Sequence, residues 1–334
     1  MPCLWLLTGR DLSLIIPHPM KIADKNMPDI WSVGGGKGGT GKSFITGNLG
    51  ILLAKEGYKT LLIDVDLGAA NLHTIIGCPL PEKSISDFIS KKVGTLEETV
   101  EPTPIPNLFI ISGASNHLDI ANLAHEQKMK IIRNIPKLSY EYILLDLGAG
   151  TSFNTIDFFM SSNSGIFVTT PEPTSIENIY RLIRSVYFRK ISQVLHSSNF
   201  RSLAAEAQER DARATVSNPD ILLHIMKELD AEKGDILEKE LRTFNFKLAL
   251  NQMRKHDNPN VGALICKIIQ RHLSLKMYFV GNISFDDRVH NAVCKKMPFL
   301  DLYPYTQTTL DLRACHKNLL SINDEDPVLQ DAVD

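Results

Sequence analysis

The sequence predicts a doubly wound α/β fold, a mostly parallel sheet flanked by helices on both faces, and three observations carry that prediction. Apolar runs of strand length recur at Ile30–Val33, Lys59–Ile63, Tyr142–Asp146, Gly165–Thr170 and Phe246–Leu250. They are nearly continuous rather than alternating, as strands covered on both faces must be. The first run leads into a glycine-rich loop and then a helical pattern from Phe44 to Glu56. A chain of 334 residues, 43% of them hydrophobic, can fill one substantial core, and the spacing of its elements describes a single sheet with an insertion.

The loop is the most specific segment. Residues 33–43 read V-G-G-G-K-G-G-T-G-K-S, and from Gly36 they match G-x-x-x-x-G-K-S in the strand, loop, helix context that a phosphate-binding loop requires. Glycines at 38, 39 and 41 permit backbone conformations closed to residues with a Cβ, so successive N–H groups can converge on phosphate oxygens at a helix mouth. Gly36, Lys37, Gly38, Gly39, Thr40, Gly41, Lys42 and Ser43 are therefore the expected nucleotide cradle. Lys42 is expected to reach the β- and γ-phosphates, and the Ser43 hydroxyl to coordinate Mg²⁺. The implied cofactors are ATP and Mg²⁺.

Lys37 is a second lysine, five residues before the first. It is either a solvated surface residue or part of the chemistry. K-G-G-T-G-K-S resembles the deviant Walker A loop of the MinD/ParA family, whose early lysine crosses a dimer interface to the partner's nucleotide, so the resemblance implies an ATP-dependent homodimer. Gly57 closes the first helix, and the next strand ends in D-V-D-L-G-A-A-N at 64–71, similar to the family's first switch. Carboxylates two apart at a strand end point to opposite faces, so Asp64 and Asp66 should do different work. By resemblance Asp66 orients the attacking water and joins Lys37 and Lys42 as catalytic, while Asp64 helps hold the hydrated metal; either could instead be a turn former or cap.

Tyr142–Asp146 has the Walker B form, an apolar strand closing on a carboxylate beside the magnesium, so Ser43, Asp64 and Asp146 form the expected metal set. D-L-G-A-G at 146–150 resembles the second switch, and P-E-P-T-S-I at 171–176 is most similar to the FlhG/FleN branch that governs flagellar number. Asn251, ending a late strand, resembles the family's adenine reader, and a simple turn is its alternative. Gly281–Asp286 resembles the G-x-I-P-x-D segment near the base, which implicates Asp286, although Ser284 stands where the proline is expected. Phe44 is a second departure, at a position where relatives commonly place a polar group for the α-phosphate.

A net charge of −2 and a pI near 6.6 imply no general affinity for polyanions. The cysteines at 3, 78, 266, 294 and 315 form no C-x-x-C pair, which fits a reducing cytoplasm and argues against an iron–sulfur carrier. Residues 1–28 read as a flexible leader lacking the unbroken apolar stretch of a signal peptide, and 29–322 as one ATPase domain. Residues 193–243 read as a helical insertion: extra helices packed on the sheet, a partner-docking helix at 219–230, or a lid. The end, 323–334, is acidic and interrupted by Pro327, so no autonomous membrane binding is expected.

The resulting expectation is a slow, Mg-dependent ATPase that acts as a dimerisation switch in spatial regulation, with a regulatory protein partner in the flagellar or cell-division machinery. Two alternatives stand beside it. One is a ParA-like DNA or cargo segregation ATPase, which would need a basic dimer face and for which Arg181, Arg184, Arg189 and Lys190 offer a modest patch. The other is an ATP-dependent amide-forming synthetase of the same superfamily, which would need its own substrate pocket.

Overall fold

The computed structural model describes residues 27–67, 70–113, 124–162, 164–196, 200–242 and 246–322. The acidic segment 323–334, most of the leader, and Gly68 and Ala69 of the first switch lie outside these residues.

Eight strands form one sheet: β1 (Asp29–Gly35), β2 (Thr60–Asp64), β3 (Glu101–Pro102), β4 (Leu108–Ile111), β5 (Tyr142–Ala149), β6 (Ser164–Thr169), β7 (Phe246–Met253) and β8 (Met277–Ser284). Their order is β3-β4-β2-β5-β1-β6-β7-β8, and every pairing is parallel except the short β3–β4 contact. The chain leaves β1 toward one edge, returns through β5, and then builds the other half through β6, β7 and β8. Ligands bind such sheets where the winding reverses, beyond the C-terminal ends of the strands. Here that point lies above β5, β1 and β6.

Side-chain alternation along the buried strands feeds two cores. Leu61, Ile63, Ile143, Leu145, Phe167 and Leu248 face one layer, in which α4 (His125–Asn134), α5 (Phe153–Met160), α6 (Pro173–Leu195) and α10 (Val261–Leu273) bury Met129, Ile156, Ile183 and Ile265. Leu62, Leu144, Ile166, Val168 and Ala249 face the other, against α1 (Lys42–Lys55) and α13 (Gln307–Ser321). Within the first layer Lys128 of α4 and Asp157 of α5 form a buried ion pair, and Arg189 of α6 approaches the same carboxylate at 3.6 Å.

Elements that escaped the sequence reading have local reasons. β3 and β4 are short and sit among Pro102, Pro104 and Pro106, while β8 is an edge strand whose pattern is broken by Gly281. The open side of β8 is met by side chains of α13. Asn318 Nδ2 donates to the Val280 carbonyl at 2.9 Å, the Ser284 N–H to Asp311 Oδ2 at 2.8 Å, and Thr308 Oγ1 to the Ser284 carbonyl at 3.0 Å.

α6 extends through Leu195, three residues into the expected insertion, and α7 (Arg201–Arg210), α8 (Pro219–Leu229) and α9 (Ala231–Arg242) follow before β7. The apolar stripe of α8, Leu222, Ile225 and Met226, is buried in the same core as the α6 residues Ile183 and Tyr187. That stripe is spent inside the molecule, so the partner-docking reading of 219–230 does not hold. Nor do these helices form a lid. A helix of 23 residues spans roughly 34 Å, which carries the chain from the C-terminal end of β6 to the opposite edge, where β7 begins.

Candidate functional site

The loop between β1 and α1 takes its shape from two left-handed glycines, Gly39 at φ +79° and Gly41 at φ +86°. Gly36 is required for a different reason: a Cβ there would lie 2.3 Å from the carbonyl carbon of Asn178, in the second turn of α6. Backbone thus meets backbone where the loop leaves the sheet. At the far end of the loop a Cβ on Gly41 would lie 2.1 Å from Asn251 Nδ2. That amide donates to the Thr40 carbonyl at 2.9 Å, so Asn251 closes on the phosphate loop itself.

Lys42 opens α1 and is buried. Burial lowers the pKa of its ammonium, while the Asp146 and Asp66 carboxylates oppose the shift. Asp64 and Asp146 are register partners on β2 and β5, which sets two carboxylates side by side at the C-terminal edge of the sheet. Asp146 accepts hydrogen bonds from the Ser43 hydroxyl and from Thr46 Oγ1, the latter at 3.1 Å. Asp64 accepts the backbone N–H groups of Asp66 and Leu72, each at 3.1 Å, and so also organises the loop after β2. Both carboxyls are pushed above the ordinary carboxylate range, chiefly by burial, and the Asp146 charge adds to the shift at Asp64.

Asp66 lies beyond the end of β2, and a Cβ on Gly148 would come within 3.4 Å of its carboxyl carbon. The loop after β2 therefore lies close to the end of β5. Lys37, by contrast, is half exposed, with its Nζ 3.6 Å from Glu172 Oε2 at the N-terminus of α6. The contacts of Asp286 among the described residues are to Arg288 and Thr308. Arg288 grips its carboxylate through Nε and Nη2, both at 2.8 Å, and this pairing holds its pKa below the ordinary value.

No group of three or more His, Cys, Asp or Glu at metal-ligand spacing occurs among the described residues. The expected metal place is a smaller set, two carboxylates and the Ser43 hydroxyl. Such a set suits Mg²⁺, which keeps several waters, and the crowded buried carboxylates are the kind of charge that a divalent cation relieves.

Residues 31–299 match the CobQ/CobB/MinD/ParA nucleotide binding domain. The chain belongs to this family. Among its relatives, the antiactivator FleN of Pseudomonas aeruginosa is 23% identical over 89% of this chain and 85% of its own length. The flagellum site-determining protein YlxH of Helicobacter pylori is 31% identical over 60% of this chain and 66% of its own length, and the septum site-determining protein MinD of Buchnera aphidicola is 31% identical over 47% and 58%. The match to the MinD relatives thus spans about half of their length. Among solved structures, the cell division ATPase MinD of Pyrococcus furiosus superposes with a TM-score of 0.61 at 18% identity, covering 89% of this chain and all of that one. A MinD of Pyrococcus horikoshii complexed with Mg-ADP gives 0.59 at 19% identity, covering 88% and 96%. At these identities the superpositions show the MinD/ParA-type fold.

Within this family frame three residues escaped the sequence reading. Thr46 holds Asp146, and its signal was its place one turn beyond Ser43 on the same helix. Glu172 meets Lys37, and Gln252 Nε2 donates to the Gly39 carbonyl at 2.8 Å; neither had a local signal, because their partners are far away in sequence. Phe44 turns from the loop into the core, edge-on to Phe299 of α12 (Phe299–Leu302) with ring centroids 5.4 Å apart.

Proposed function

We propose that this MinD/ParA-family chain is a Mg-dependent ATPase whose ATP-bound form pairs with a second copy and so presents a surface to a regulatory protein that sets flagellar number or placement. The observation that carries the reading is the contrast between the two loop lysines. Lys42 is buried beside Asp146, where it would meet phosphate in its own subunit, while Lys37 stays half exposed and, among the described residues, is paired with Glu172. A lysine outside the cradle is free to serve a neighbour's phosphates. The flagellar reading rests on the FleN relative, matched over most of both chains.

In this reading the loop N–H groups and Lys42 hold the phosphates, the Ser43 hydroxyl would coordinate the magnesium, and Asp146 and Asp64 would hold its waters. The bound metal supplies charge neutralisation on the phosphate oxygens. Asp66, close to Gly148, orients a water at the γ-phosphate. Lys37 leaves Glu172 and crosses to the partner's nucleotide. Asn251, whose Nδ2 already holds the Thr40 carbonyl, would meet the adenine edge with the rest of its amide, and Asp286 would shape the segment near the base.

The segregation alternative needs an open basic face on α6. Arg181 is paired with Glu177, Arg184 lies over the Phe188 ring, Arg189 turns toward Asp157 and Lys190 lies over the Phe246 ring, so each of the four cations is already engaged within the molecule, which favours the dimerisation reading over segregation. The test is light scattering of Asp66→Ala, which should trap a dimer with Mg-ATP and remain monomeric with Mg-ADP. A variant that stays monomeric at saturating Mg-ATP defeats the proposal.

A further inference from the structure

Gln252 has the one backbone in β7 that an L-residue rarely adopts, a left-handed φ of +59°. Successive side chains of a regular strand point to opposite faces. The pairing of β7 with β8 shifts register between Leu250 and Met253, and that irregularity turns two neighbours the same way. Asn251 donates to the Thr40 carbonyl at 2.9 Å and Gln252 to the Gly39 carbonyl at 2.8 Å, two consecutive amides on two consecutive loop carbonyls.

A trans peptide is planar, so the C=O of one residue and the N–H of the next point in opposite directions. No cis peptide occurs among the described residues. Drawing the Gly39 and Thr40 carbonyls outward therefore aims the N–H groups of Thr40 and Gly41 inward, into the cradle. We infer that Gln252 is a positioning residue for the phosphate loop: with Asn251 it forms an amide clip that fixes the direction of two peptide dipoles before nucleotide arrives, at the cost of a strained backbone. This rests on the nucleotide reading of the site.

Calorimetry on the full chain tests it with Mg-ADP and with AMP. Gln252→Glu keeps the shape but sets an acceptor against the Gly39 carbonyl, and Gln252→Gly relieves the positive φ while removing the donor. Each should weaken Mg-ADP binding about tenfold, the scale of one well-placed hydrogen bond, and leave AMP binding within about twofold. Gln252→Lys, which restores a donor, should recover most of the ADP affinity. Wild-type ADP affinity in both donor-less variants overturns the clip. Equal losses for AMP and ADP, tracking a fall in the nucleotide-free unfolding midpoint, overturn it too by making Gln252 merely structural. Failure of the wild-type chain to bind Mg-ADP removes the nucleotide reading itself, and the clip with it.

Discussion

Lys42 and Lys37 differ by five positions and by their entire environment, and that difference predicts a separation of functions. Lys42→Ala should abolish tight ATP binding by removing a charge-assisted contact from inside the cradle, whereas Lys37→Ala should bind ATP and lose dimerisation and turnover. Calorimetry paired with light scattering reads both, and equal loss of affinity in the two variants would place Lys37 in its own subunit's site. The buried carboxylates give a second prediction. Asp64 and Asp146 are raised above the ordinary carboxylate pKa of 3.8, so the folded chain holds protons that the unfolded chain has released. Their contribution to stability is fully present below that ordinary value and is lost as pH rises through the raised ones. Relative to Asp64→Asn, the nucleotide-free wild type should therefore lose unfolding midpoint between about pH 4 and about pH 7, and saturating Mg-ADP should flatten the difference. Most of this site was legible in the sequence because Gly36 to Ser43, Asp64, Asp66 and Asp146 lie in short motifs whose spacing fixes their geometry. Thr46 and Gln252 were not, since their partners lie 100 and 213 residues away and only the folded sheet brings them together.

α6 shows how an element can belong to the site while contributing no phosphate ligand. Pro173 opens it, Glu172 at its N-terminus holds Lys37, and its second turn lies against Gly36 so closely that no side chain fits between them. Gly36→Ala should force loop and helix apart at an estimated cost of about 1–3 kcal/mol, the range for overpacked contacts, and weaken Mg-ADP binding in the same preparation. Urea unfolding and calorimetry together check this, and an unaltered ADP affinity would show that the loop tolerates the shift. The P-E-P-T-S-I string pointed to the start of this helix, and its length was harder to see. The apolar residues Ile179, Leu182, Ile183 and Val186 continue without a break into the stretch read as insertion, so periodicity alone drew no boundary. Strands β3, β4 and β8 were hidden for the opposite reason, because prolines or edge exposure erase the buried-strand pattern.

Across the whole molecule, α7, α8 and α9 join the same core as the sheet instead of standing apart. Met226 is fully buried with Ile183 and Leu248 in one cluster, so Met226→Ala should cost about 2–5 kcal/mol and the chain should still unfold in a single urea transition. A separate low-stability transition assigned to these helices would contradict a common core. The sheet's two borders bear on a different matter, that of open-ended growth. One border is β3, two residues long with Pro102 lacking an N–H, and along the other the backbone of β8 is already engaged by Asn318, Asp311 and Thr308. Among the described residues both borders are thus partly blunted. Both are devices that discourage copies of a chain from stacking edge to edge into ribbons, and a pair closed through the loop end, as proposed above, would leave no further edge for growth.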